Sequence, residues 1–297
     1  MKIALCLHGL VGKTRGKVDE RPSNEPQNDP KIAFNQYKHH FFDKNDSVDT
    51  FLHIRDLNHE QSLLELYKPK KYLSEPLVKP DTEHLLVGNT PIQHQRRCSQ
   101  SMWSRFYSFQ KAVEQKTAYE QEQGFKYDFV FVSRYDLVMF EDFILSKYDP
   151  NYFYAPFSGW MFKERGIFVK ESTPDLWFFS SSDQINEFSK IYDDLERYSK
   201  DLADNCISPH FAISNKLRES DTKLRFVLNM DVDFTNNNSD RVGLTRNLHI
   251  DKYWGYNKEQ QIYFVKPEYK AKLNKSEYDM DWSLHGLQKW DIYDNHE

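Results

Sequence analysis

Cysteine is scarce in this chain: Cys6, Cys98 and Cys206 are odd in number and widely spaced over 297 residues. That excludes a disulfide framework and a cysteine-rich zinc site, and the three read as reduced thiols. No apolar run approaches the ~20 residues of a membrane span. The N-terminus has one lysine and a short apolar run, without a hydrophobic region that leads to a small-residue cleavage site, so a cytoplasmic location is the expectation. Asn-x-Ser triplets at Asn45, Asn237 and Asn274 therefore carry no weight. A strong charge of one sign is missing too. The formal net charge of −5 gives no general reason to expect nucleic acid or an anionic membrane as a partner.

What the chain has is aromatic and charged side chains, 15% and 29% of the residues, in a length that suits one large domain. Aromatics in such number line sites for flat or ring-shaped ligands as well as cores. Lys2 to Leu7 reads as a first buried strand and leads into His8-Gly9-Leu10-Val11-Gly12, where glycines let the backbone approach a phosphate or a base. Gly9 to Thr14 suggests a P-loop, but only two residues separate Gly9 from Gly12-Lys13-Thr14 where that motif needs four. Arg15 to Pro30, with three prolines, reads as a loop.

Strand and helix patterns then alternate. A helix is expected over 32–42, a strand over Val48–Ile54 ending in Arg55-Asp56, a helix over Glu60–Tyr67 and a third strand at 71–73. Ser99 to Gln123 is the longest helical pattern, with Met102, Phe106, Phe109, Val113 and Tyr119 near one face and Ser99 or Ser101 as N-cap. Gln100, Ser104 and Arg105 fall in its expected first turns, where free backbone N–H groups can meet a nucleotide. The alternation implies a mostly parallel α/β sheet flanked by helices.

Tyr127 to Asp136 organises the rest. Phe129, Val130, Phe131 and Val132 form a doubly buried strand, and Ser133, Arg134 and Asp136 put a hydroxyl, a cation and a carboxylate at its carboxyl end, where open α/β sheets bind ligands. A carboxylate there can hold a divalent cation, and a guanidinium can fork onto an anion. Further strands are expected at 151–156, 176–179 and 224–233, with helices at 183–195 and from Ser208-Pro209-His210. Asp175 directly precedes an apolar strand, a poor place for a carboxylate without a partner or a purpose. The segment from Asp251 is aromatic-rich and is expected to pack over the sheet.

Taken in order, Met1 to Gly12, Val48 to His53, Leu66 to Tyr72, Gln100 to Trp103 and Tyr127 to Asp136 resemble a family of small GT-A-like glycosyltransferases of chloroviruses and other large DNA viruses, phages and bacteria. Within it the chain is most similar to xylosyltransferase-like proteins that help build the capsid N-glycan. The resemblance covers roughly the first two-thirds of the chain. It implies a Rossmann-like GT-A domain, with 1–136 as the nucleotide-sugar half, 137–250 as the acceptor half and 251–297 as an extension. It also implies a UDP-sugar donor, Mn²⁺ or Mg²⁺ under the diphosphate, a glycan acceptor, and a host-cytoplasmic setting if the protein is viral.

Carried onto this sequence, the donor contacts are His8, Gly9, Leu10, Val11, Gly12, Arg55, Gln100, Ser104, Arg134 and Asp136. The Asp-x-Asp of that family is here Ser133-Arg134-Tyr135-Asp136, so Asp136 is the implied metal ligand, with His210 or His249 completing the site. Asp175 matches the general base of an inverting transfer, and Trp160 and Trp177 are the acceptor contacts. If Asp175 is the base it must share the cleft of Asp136 and not be held in a structural ion pair; otherwise Asp56, Glu164 and Asp231 are the alternatives. Two other classes remain open: a non-catalytic carbohydrate-binding or assembly protein, and a small-molecule kinase.

Overall fold

The computed structural model of the protein describes residues 1–12, 28–77, 80–83, 92–156, 175–201, 209–220, 222–227, 242–245, 248 and 254–268. Apolar runs buried on both faces make the centre of a sheet. β1 (Ile3–Gly9) lies between β2 (Val48–Ile54) and β4 (Phe129–Arg134), parallel to both, and β3 (Lys71–Ser74) extends the parallel run beyond β2. Past β4 come β7 (Phe178–Ser180), β6 (Phe153–Pro156) and β8 (Leu224–Val227), which gives the order β3-β2-β1-β4-β7-β6-β8. β7 is antiparallel to both neighbours, while β6 and β8 are parallel to each other. The protein is thus an α/β structure with a seven-stranded, mostly parallel sheet, compatible with a Rossmann-like fold.

Helices cover both faces. On one face α3 (Ile92–Gln123), α4 (Ser182–Ser189) and α6 (Pro209–Glu219) bring Met102, Phe106, Phe109, Ile185, Phe188 and Ile213 onto Ala4, Cys6, Val130 and Val132. A shorter helix, α5 (Leu195–Asp201), adds Leu195 and Tyr198 to that layer. On the other face α1 (Pro30–His40) and α2 (Glu60–Tyr67) set Tyr37, Leu63 and Tyr67 against Leu5, Leu7 and Phe131. Asp29 caps α1 by accepting from Lys31 N–H at 2.9 Å, and Pro30 fits the first turn because its missing N–H needs no partner there. A two-stranded ladder of β5 (Leu137–Met139) and β9 (Val242–Leu244) lies on this second face, and no local pattern had pointed to it.

The hairpin of β10 (Trp254–Asn257) and β11 (Ile262–Val265) docks on α1 and the region of β5, while the rest of the aromatic-rich segment expected over the sheet, 251–253 and 269–297, lies outside the described residues. Trp254 stacks on Phe140 at 4.8 Å, and Gln36 Nε2 donates to the Tyr263 carbonyl at 3.0 Å. α3 also begins earlier than its serines implied. Ser99 is no N-cap: it lies inside the helix, fully buried, sharing a hydrogen bond with Thr82 Oγ1 (2.6 Å) and donating to the Arg96 carbonyl (3.0 Å). No helix among the described residues is long and apolar enough to cross a membrane.

Candidate functional site

The chain lays down β1, β2 and β3 in one direction across the sheet, then returns to set β4 on the other side of β1. The reversal therefore falls between β1 and β4, and the crevice beyond the strand carboxyl ends at such a reversal is where open α/β sheets bind ligands. His8, the last buried residue of β1, is in register with Arg134 of β4 and with His53 of β2. Alternation along the strands turns all three toward the layer of α3. The first half of α3 supplies the opposing polar groups, Ser104, Arg105 and Ser108.

His8 is 4% exposed, packs its ring edge-on against Phe109 at 5.7 Å, and leaves Nδ1 without a hydrogen-bond partner. Burial, reinforced by the charges of Arg105 and Arg134, holds its pKa well below the usual histidine value, so the imidazole is neutral at pH 7. Next to it runs a chain of hydrogen bonds. Glu75 Oε1 lies 3.2 Å from His53 Nε2, His53 Nδ1 lies 2.7 Å from Ser108 Oγ, and Gly9 N–H donates to that same Oγ at 3.1 Å. A carboxylate oxygen only accepts, so the proton of the neutral His53 ring sits on Nε2 and is donated to Glu75, which leaves Nδ1 to accept from Ser108 Oγ while that Oγ accepts from Gly9 N–H.

Two arginine–carboxylate pairs flank His8. Arg134 grips Asp136 in a two-pronged fork, Nε to Oδ1 and Nη2 to Oδ2, both at 2.7 Å. Arg105 is ion-paired with Asp175, whose residue is 9% exposed. Arg55, at the end of β2, donates from Nη1 to Ser104 Oγ at 3.0 Å and lies over the Tyr107 ring. Tyr37 reaches up from α1 to bond Ser133 Oγ (2.7 Å) and the Arg134 carbonyl (3.0 Å), which fixes the end of β4.

The glycine loop takes its shape from backbone sterics. Gly9 (φ +96°) and Gly12 (φ +81°) occupy the left-handed region. A Cβ at Gly9 would meet nothing within 4 Å, so a side chain there is opposed by φ and not by crowding. Val11 is buried in the core beneath the loop, and its carbonyl, like that of Gly12, is tied to Asn28. Leu10 is half-buried between them. Asp56, half-buried at the end of β2, accepts from the Val11 N–H, and burial raises its carboxyl pKa above the ordinary value.

Most of the sequence-predicted donor residues thus meet at one edge, and several roles change. Gln100 and Ser104 sit well inside α3, where backbone N–H groups are spent on the helix, so only their side chains are available. Trp177 is not an acceptor wall. It is 1% exposed, stacked on Phe131 and Phe179 in the core of the second face. Asp175 is ion-paired with Arg105, the condition under which the sequence reading gives up its assignment as the base. His210 lies in the first turn of α6, while Trp160, His249, Glu164, Lys13 and Asp231 lie outside the described residues.

The metal implied by the resemblance does not fit the described donor set. Asp136 has both oxygens in the Arg134 fork, and among the described residues no group of three His, Cys, Asp or Glu side chains is arranged to hold a cation. Sequence reading missed His53, Ser108 and Glu75, because a histidine in a strand, a serine in a helix and a glutamate in a loop give no joint signal until the sheet aligns them.

A cleft of about 510 Å³ opens elsewhere, lined by Asp149, Tyr152, Asp183, Glu187 and Lys223. These residues precede β6 and β8 or follow β7, which places the cleft at the amino edge of the parallel strands. The chemistry gathers at the other edge. No family model matches the chain, and no curated protein matches it significantly.

Proposed function

We propose that the protein is a glycosyltransferase that draws its sugar from a UDP-sugar and carries the donor diphosphate over the carboxyl ends of β1 and β4. The observation behind this reading is the strand reversal at which a neutral, buried His8 with a spare ring nitrogen stands between Arg105 and Arg134. The resemblance of the five sequence segments to small GT-A-like enzymes supplies the reaction class, with UDP-xylose the first donor to try.

In this reading the Gly9–Gly12 loop passes along the nucleoside, its backbone shaped by two left-handed glycines and anchored by Asn28. Asp56 stands after the second strand, where an acidic side chain can accept from ribose hydroxyls. The acceptor hydroxyl oxygen bonds to the anomeric carbon as the bond to the diphosphate oxygen breaks. The electron pair leaves with UDP, where guanidinium charge stabilises it, and a base removes the hydroxyl proton. With Asp175 paired and Asp56 given to the ribose, Glu164 and Asp231 remain of the alternatives for that base.

A thermal-shift screen of UDP-sugars, ATP and free glycans, followed by a UDP-release assay with a glycan acceptor, tests the reading. UDP and at least one UDP-sugar are expected to raise the melting temperature. Stabilisation by ATP alone would indicate a kinase, and by free glycans alone a binding module.

A further inference from the structure

The resemblance brings with it a divalent cation at Asp136, and the geometry of that residue disagrees. We infer that the diphosphate charge of the donor is neutralised by Arg134 and Arg105 and not by a metal ion, so that donor binding is insensitive to chelation. This rests on the nucleotide-sugar reading given above.

Asp136 is 4% exposed, and each of its oxygens accepts a 2.7 Å bond from Arg134, itself on the strand that ends at the crevice. A cation at Asp136 would have to displace a guanidinium that is only 15% exposed and leave that charge beside its own, which is the costly outcome for a largely desolvated pair. Hard cations also need several oxygen ligands, and the described side chains around Asp136 offer no second carboxylate: the nearby one, Asp175, is taken by Arg105. A diphosphate needs no such displacement. Its oxygens can add to N–H groups of Arg134 other than the two that grip Asp136, since a guanidinium carries five donors in one plane, and Arg105 brings a second positive charge to the same edge. His8 Nδ1 lies between the two cations with nothing bound to it, a third polar atom for the same ligand.

Asp136 then serves to hold Arg134 in place, and its substitution separates the two accounts. UDP affinity is measured by titration with purified protein in MnCl₂ and in EDTA, for the wild type and for Asp136→Asn, with melting curves to establish that each variant is folded. The inference expects equal UDP affinity in both buffers, and affinity retained in Asp136→Asn, whose amide oxygen still accepts from Arg134 and keeps it in place. Arg134→Gln is expected to weaken UDP ~10-fold or more, as loss of a charge-assisted hydrogen-bonding partner does. Should that variant fail to fold because Asp136 is left buried and unpaired, Arg134→Gln with Asp136→Asn removes both charges at once and is expected to show the same loss. UDP binding that appears only with MnCl₂, or that disappears in Asp136→Asn, overturns the inference while leaving the glycosyltransferase reading standing. Failure to bind UDP in either buffer overturns that reading and the inference with it.

Discussion

His53 has no exposed surface, yet each of its ring nitrogens is committed, one to Ser108 and one to Glu75. Burial lowers its pKa to about 4, and the Glu75 charge opposes that shift without cancelling it. An unfolded histidine titrates near 6.5, so as the pH falls from 6.5 the unfolded chain takes up a proton before the native one does. The stability tied to neutral His53 is therefore complete above pH 6.5 and is lost as the pH falls through 4. A shift of that size corresponds to roughly 3 kcal/mol below pH 4. His8 and His40, whose pKa values are also lowered by burial, act in the same direction. Urea unfolding midpoints at pH 7.5, 5.5 and 4.5 are expected to fall steadily, with a shallower fall in His53→Gln. A midpoint unchanged down to pH 4.5 would contradict the neutral, buried assignment. None of this was legible in the sequence, where a histidine inside a strand pattern carries no sign of the partners on α3 and beyond β3. Arg134 and Asp136 were legible, because a polar triplet that interrupts a doubly apolar strand marks the end of that strand.

At the level of the element, α3 is tied down by more than its apolar face. Lys116 is fully buried in its middle, and its Nζ donates to Glu120 Oε2 (2.8 Å), Ser182 Oγ (2.6 Å) and Asn186 Oδ1 (2.7 Å). Glu120 in turn accepts from Tyr127 N–H at 2.8 Å, joining α3 and the start of α4 to the chain entering β4. Removal of the cation leaves a buried carboxylate without its counter-charge, so Lys116→Met is expected to cost about 3–5 kcal/mol in chemical unfolding. A cost below about 1 kcal/mol, the range of exposed pairs, would show that water reaches the network. Sequence patterning found α2 and β2 with the observed bounds because their apolar spacing is local. It began α3 too late because Ser99 resembles a cap, whereas its hydroxyl is satisfied by Thr82 and by the preceding turn. It could not find β5 and β9, three-residue strands that are about a hundred residues apart and have no periodicity of their own.

Over the whole molecule, the two edges of the sheet are chemically unlike. The carboxyl edge gathers three arginines, two buried histidines and their carboxylate partners around the β1/β4 reversal, while the open cleft of about 510 Å³ lies at the amino edge. Volume alone favours the second; the strand reversal, the left-handed glycines and the unpartnered nitrogen of His8 favour the first. Hydrogen–deuterium exchange with and without UDP separates them in one experiment. The account expects slower exchange on UDP binding in peptides spanning residues 8–12, 54–57 and 133–136, and none in peptides spanning 149–152 and 183–188. Protection confined to the amino-edge peptides, or an exchange pattern that UDP leaves unchanged, would contradict the claim that a nucleotide sugar binds where β1 and β4 part.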